Sequence, residues 1–231
     1  NMLERQSELS LWHRFRQGEK GIVGQLGDYA FYIYALIELY ESTGEVAYLE
    51  LSQKLMESSI KKFWNSKGFF YLTQKDNKPD SLFKRPVEIT DGALPSANSI
   101  QAHNLSRLAG LLFHRGYRNK LEQMLAYVSP SVKRAPLGFP MISSTADSLF
   151  YPQYELVIAL PSQNFSDGKP QALQKELKPL WQNDYPNLVS HIVTEKNRSE
   201  LSHLLPTAQA QEAVEGKTTY YLCQQEQCQA P

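Results

Sequence analysis

From residue 28 the apolar positions recur at three- and four-residue steps, through Phe31, Ala35, Leu36, Leu39 and Tyr40, until Ser42-Thr43-Gly44 closes the segment. That spacing predicts a helix with Gly44 as its stop, because glycine enters the left-handed region without a Cβ penalty. A second helix is predicted over residues 46–64, with Leu49, Leu51, Leu55, Met56, Ile60 and Phe63 on its apolar side. A loop this short forces the two to lie antiparallel. Residues 68–73, Gly-Phe-Phe-Tyr-Leu-Thr, read as a strand or extended crossing, and residues 75–88 as a charged connection. A helix carrying Ile100, Leu105, Leu108, Leu111 and Leu112 follows, capped by Asp91 or Ser96. Its predicted partner spans 117–128 and stops at Ser129-Pro130, and a shorter helix over 137–150 ends at Pro152.

The pattern changes at either end. Residues 1–24 are polar and mixed, with Leu11, Trp12 and Phe15 as anchors, and predict a short helix and then a glycine-punctuated loop. After Pro152, residues 154–160 read as a buried strand, 169–180 as a helix and 188–193 as a second strand. That order predicts a parallel pair with a crossover. Residues 209–217 read as a polar loop and 218–222 as a last strand. The expected fold class is mainly α: a partial (α/α) toroid of helical hairpins over 1–151, followed by a small α/β region over 152–231.

Composition narrows the function classes. Twenty-four basic residues balance 24 acidic ones, so no net field steers the chain to nucleic acid or an anionic membrane, and neither partner is expected. No apolar run reaches the roughly 20 residues that span a bilayer. The chain opens at Asn1, which suggests a truncated chain; a cytoplasmic location is expected. Only Cys223 and Cys228 are present. Their spacing is not Cys-x-x-Cys, so they read as a local structural pair or two thiols in a turn, and a redox module built on them ranks third among the functions.

Asp28 and Asp91 each open the first helix of a hairpin. If the hairpins run the same way, both carboxylates face one rim, where one acts as acid and the other as base or nucleophile in glycosidic-bond chemistry. The alternative is that both cap helices. Tyr29, Phe31, Tyr32 and Tyr34 could present faces to a sugar ring or pack in the core. Arg85, Asn98, His103 and His114 are further polar candidates. No metal site is expected, since no second His or Cys lies at ligand spacing from His103. Phosphate-cradling and nucleophile-elbow motifs are absent, and no cofactor is expected.

Leu26-Gly27-Asp28-Tyr29-Ala30, Leu39-Tyr40-Glu41-Ser42-Thr43-Gly44, Gly68-Phe69-Phe70 and the run from Asp91-Gly92-Ala93-Leu94-Pro95 to Ser96-Ala97-Asn98-Ser99 occur in that order. Together with the tail from Tyr220 to Pro231, they resemble the C-terminal part of the thioredoxin-domain family that includes spermatogenesis-associated protein 20 and its bacterial relatives. Ala97 stands where relatives often have Gly, and Gly27 where they often have an acid, which weakens a carboxylate-pair mechanism. The resemblance implies a toroid similar to six-hairpin glycosidases and N-acylglucosamine 2-epimerases, with an N-terminal thioredoxin-like domain as partner. It also puts Asp28, Tyr29, Asp91, Ser96 and Asn98 near a central cleft. The expected function is binding of, or action on, a carbohydrate-like ligand, with Asp28 and Asp91 as acid/base groups and Tyr29, Ser96 and Asn98 holding the ligand. The alternative is a non-catalytic scaffold supporting the thioredoxin-like domain.

Overall fold

The computed structural model describes residues 3–4, 9–75, 84–161, 177–180, 182, 183, 185, 187–224 and 227–229. It corrects the first expectation at once, because the chain opens as sheet. Strand β1 (Leu3–Glu4) pairs with β2 (Ser10–Arg16), which pairs with β3 (Glu19–Val23), all antiparallel. Gln17 and Gly18, at φ 53° and 83°, form the two-residue turn. Positive φ at both positions matches the twist of a tight hairpin, and this favours strands over the expected short helix.

Helices α1 (Leu26–Thr43) and α2 (Val46–Phe63) form the predicted hairpin. Gly44 ends α1 at φ 72°, its N–H donating to Tyr40 O. The buried stripe of α1 runs through Leu26, Tyr29, Ala30, Ile33, Leu36, Ile37 and Tyr40, while Phe31 and Leu39 face outward. After α2, β4 (Trp64–Asn65) and β5 (Phe69–Phe70) make a small antiparallel ladder. Part of the expected 75–88 connection lies outside the described residues. Helix α3 (Ala97–Leu111) is capped by Ser96, which accepts from Ser99 N, and α4 (Arg115–Arg134) by His114, whose Nδ1 accepts from Tyr117 N. Pro130 does not stop α4 as expected but sits inside it, exposed. Helix α5 (Pro140–Phe150) follows a 3₁₀ turn, Pro136–Gly138.

Three buried amides at three-residue spacing fix α3 in the interior. Asn98 accepts from Phe70 N and donates to Phe70 O and Glu88 O, at 2.7 to 3.0 Å. Gln101 donates to Ser59 Oγ, and Asn104 to Ala30 O. Each bond satisfies a polar group that burial would otherwise leave costly, and each is directional, so α3 is locked in register against β5, α2 and α1.

The larger correction comes after Pro152. Strands β6 (Tyr154–Ala159) and β7 (Leu188–Val193) are parallel, as their order predicted. They belong, however, to a four-stranded mixed sheet ordered β7-β6-β8-β9, where β8 (Thr219–Gln224) and β9 (Gln227–Cys228) are antiparallel additions. Helix α6 (Arg198–Leu204) and a 3₁₀ turn, Pro206–Ala210, separate β7 from β8. The expected helix over 169–180 is described only at 177–180, which is helical; the remainder lies outside the described residues. With this sheet and the N-terminal hairpin, the fold is mixed α/β rather than a mainly α partial toroid. Nor is the sheet an appendage. Val157, Val189 and Val193 join the helices' apolar core, while Ile158 and Ile192, alternating onto the other face, join Leu160 and Leu177.

Helices and sheet also meet through polar groups. Tyr40 hydroxyl is hydrogen-bonded to His191 Nδ1, and His191 Nε2 lies 3.5 Å from Glu155 Oε1. Burial pushes the His191 imidazole down to about 3 from 6.5, a hydrogen bond with the Leu111 backbone opposing it, so it is neutral at ordinary pH.

Two predictions follow from this packing. Asn98→Ala leaves one amide hydrogen and two carbonyls without their partner and is expected to lower unfolding free energy by about 2 to 4 kcal/mol in urea titration. Because the folded value of His191 is depressed, the unfolded chain takes up the proton first as pH falls below about 6.5. Stability is therefore whole above that pH and drains between about 6.5 and 3, by up to roughly 1.4 kcal/mol per pH unit. His191→Gln is expected to flatten that part of the urea-midpoint profile between pH 7 and 4.5.

Candidate functional site

The residues singled out from the sequence are engaged mainly in holding the fold. Asp28, in the first turn of α1, accepts from Gln25 N at 2.8 Å, and both its oxygens lie 3.0 Å from His13 Nδ1 on β2. It thus ties the hairpin to the helix and stabilises the positive end of the helix dipole. Tyr29 is fully buried. Its hydroxyl accepts from Leu11 N and Lys62 Nζ, and its ring packs edge-on against Phe63. Asp91 accepts from Ser96 N at 2.8 Å and Met141 N at 3.0 Å, so it bridges the α3 approach to the start of α5 while Ser96 supplies the cap. Asn98 belongs to the buried amide row.

The structure therefore groups these residues in two places. Asp91 and Ser96 are in direct contact, whereas Asp28 borders a separate shallow groove with His13, Phe31 and Tyr32. Asp91 does not line that groove. Arg85 is likewise structural, donating to Thr73 O and Lys62 O with its guanidinium 4.1 Å from the Tyr71 ring centre. Among the described residues, no three His, Cys, Asp or Glu side chains come together as a metal-binding group.

A polar concavity lies elsewhere, where α1, α3 and α5 meet β7. It has a volume of about 450 Å³. Helix α1 contributes Glu38, Glu41 and Ser42, and α3 contributes His103, Ser106 and Arg107. Ser144, Thr145 and Ser148 from α5 and Ser190 from β7 complete a hydroxyl-rich wall. Arg107 pairs with both Glu38 and Glu41. Burial works against its charge, but Glu41 and Glu38 outweigh burial and hold the guanidinium above its usual range. Glu41 reaches further, accepting from Ser190 N at 2.9 Å. His103 is pushed down to about 4 by burial and then by Arg107, against Glu38. At neutral pH it is an uncharged imidazole able to donate at one nitrogen and accept at the other.

Two carboxylates against one guanidinium leave this wall with one formal negative charge. The hydroxyls of Ser144, Thr145 and Ser148 donate to backbone carbonyls of their own helix, which leaves oxygen lone pairs to accept from a ligand. Such a surface suits a neutral, hydroxyl-bearing molecule and repels anions. Of its members only His103 was singled out from the sequence. Glu38, Glu41 and Arg107 come together from segments more than 60 residues apart. The available signal was two acids three residues apart in the last turns of a helix whose middle is apolar and aromatic.

No helix among the described residues is long and apolar enough to cross a membrane. No family model matches the chain. Over 212 residues it is 32% identical to spermatogenesis-associated protein 20 of Homo sapiens and, equally, to that of Mus musculus. Over 217 residues it is 31% identical to uncharacterized protein B0495.5 of Caenorhabditis elegans. The chain spans about a quarter of the length of these relatives, 26% of the first two and 28% of the third. Neither a thioredoxin-like domain nor a glycosidase-like toroid is carried by these matches. The chain is homologous to spermatogenesis-associated protein 20 over 90% of its own length.

Proposed function

We propose that this chain binds a small, neutral, carbohydrate-like ligand in the cleft between α1, α3, α5 and β7. The observation that carries the reading is the pairing of a hydroxyl-rich wall with the Glu38–Arg107–Glu41 cluster in one concavity of about 450 Å³. A sugar presents alternating donors and acceptors around an apolar ring face. Carboxylate oxygens accept hydrogen bonds from its hydroxyls, while the neutral His103 and the serine oxygens serve as mixed partners. Sugar acids and sugar phosphates are poorer candidates, because they would bring negative charge against Glu38 and Glu41.

In this reading Asp28 and Asp91 contribute through stability rather than through ligand contact. A second reading, in which the chain is a scaffold that docks a further domain such as a thioredoxin-like one, has its own support. Asp28, Asp91, Ser96 and Asn98 all serve structural bonds, and the chain corresponds to only part of its relatives' length.

A thermal-shift series separates the two. A ligand that binds only the folded chain stabilises it by mass action, by about 2.7 kcal/mol at a hundred times its dissociation constant. The expected result is a rise in midpoint with one class of neutral sugars and none with their phosphates, and a smaller rise in Glu38→Gln. Asp28→Ala and Asp91→Ala are expected to start from lower midpoints yet keep the full ligand-induced rise. No rise with any neutral sugar would sink the cleft reading and leave the scaffold; loss of the rise in the two aspartate variants alone would return the site to Asp28 and Asp91.

A further inference from the structure

Cys223 and Cys228 form a disulfide across β8 and β9, opposite each other in the strand register. The bridge spans a sequence separation of only 5 residues. A link that closes so short a loop restrains the unfolded chain less than one that closes a long loop, so its stabilising value is small for a disulfide. The two sulfurs are unequally placed. Cys223 is 1% exposed and sits on the wall of a second cleft, of about 660 Å³, whereas Cys228 is open to solvent. An incoming thiolate thus meets Cys228 first and expels Cys223.

Gln211 supplies the second observation. It is 4% exposed, with Nε2 3.3 Å from Cys228 Sγ and 3.6 Å from Cys223 Sγ. Its Oε1 is buried and accepts no hydrogen bond from any described residue. A disulfide sulfur is a weak acceptor and has no proton to donate. The oxidised pair therefore uses the amide's donor poorly and its acceptor not at all, an expensive arrangement for a buried polar group. Reduction changes both terms. The departing thiolate accepts strongly from Nε2–H, and the protonated thiol it becomes can donate to Oε1.

We propose that Cys223–Cys228 is a thiol–disulfide exchange site that accepts two electrons from a dithiol, with Gln211 a positioning residue that favours the reduced pair. The first thiolate of the dithiol attacks Cys228 Sγ. The Cys223–Cys228 bond breaks, a mixed disulfide forms at Cys228, and Cys223 leaves as a thiolate that takes a proton from water. The second thiolate of the dithiol then attacks the sulfur already bound to Cys228. This closes the dithiol's own disulfide and releases Cys228, which is protonated in turn. The dithiol loses two electrons and two protons, and the chain gains both.

The test equilibrates the chain with mixtures of reduced and oxidised dithiothreitol, traps thiols by alkylation and reads them by mass, with circular dichroism confirming that the fold is kept. Both thiols are expected to be trapped in a folded chain. Gln211→Leu is expected to need about a tenfold higher ratio of reduced to oxidised dithiothreitol for half-reduction, a shift of about 30 mV. Gln211→Met, closer in shape, should give the same shift. A disulfide that resists excess dithiothreitol until the chain unfolds would overturn the proposal. So would a reduction equilibrium that neither Gln211 variant moves.

Discussion

The last turn of α1 is the joint on which the rest of the molecule depends. Within five residues it makes three kinds of contact with the sheet region. The Tyr40 hydroxyl bonds His191, Glu41 receives Ser190 N, and Gly44 packs so closely on β7 that an added Cβ would lie 2.9 Å from the Ile192 Cβ. Gly44 also holds φ 72°, so the position requires glycine both for its backbone and for the space. Asn197 locks the arrangement, donating from one amide nitrogen to Gly44 O and Ile192 O at 2.9 and 2.8 Å. The residue that ends the first helix is therefore also the one that lets the sheet approach it.

The polar cleft is a consequence of that joint. Glu41 faces two ways, toward Ser190 on β7 and toward Arg107 on α3, and Arg107 in turn reaches Glu38. The three charges are thus held in place by the contact between helices and sheet, and α5 closes the space beside them with its serines and threonine. On the far side of α3 the amide row of Asn98, Gln101 and Asn104 sets the helix against α1, α2 and β5. Directional bonds on both sides of one helix fix where its cleft-facing residues stand, which apolar contact alone does only loosely.

Much of this was legible in the sequence where the signal was local. Gly44 marked the end of α1, the six residues of β7 were bounded correctly, and the order strand, helix, strand gave the parallel pairing of β6 and β7. The N-terminal hairpin was misread because only Leu11 among its described side chains is buried, so the alternation that announces a strand is faint, and Gln17 is not a usual residue for positive φ. Pro130 was misread because its exposed position near the end of α4 lets the helix continue past it. The fold class was misjudged because β8 joins β6 through long-range pairing that no window of sequence displays, and β9 then extends the sheet from β8. The charged cluster escaped for the same reason: Glu38 and Glu41 acquire meaning only when Arg107 arrives from α3. Asp28 and Asp91 stood out because acids at helix starts are conspicuous, and in the structure each caps or bridges a chain reversal.

The claim that helices and sheet form one unit through the α1 joint can be measured by native-state hydrogen exchange across a urea series. If the joint is as described, the amides of β6 and β7 open together with those of the last turns of α1, at one free energy equal to that of global unfolding. The Ser190 amide, which Glu41 holds, belongs to that slowest class. Exchange of β6, β7 and β8 through a separate opening of much lower free energy, while α1 and α3 stayed protected, would contradict the account.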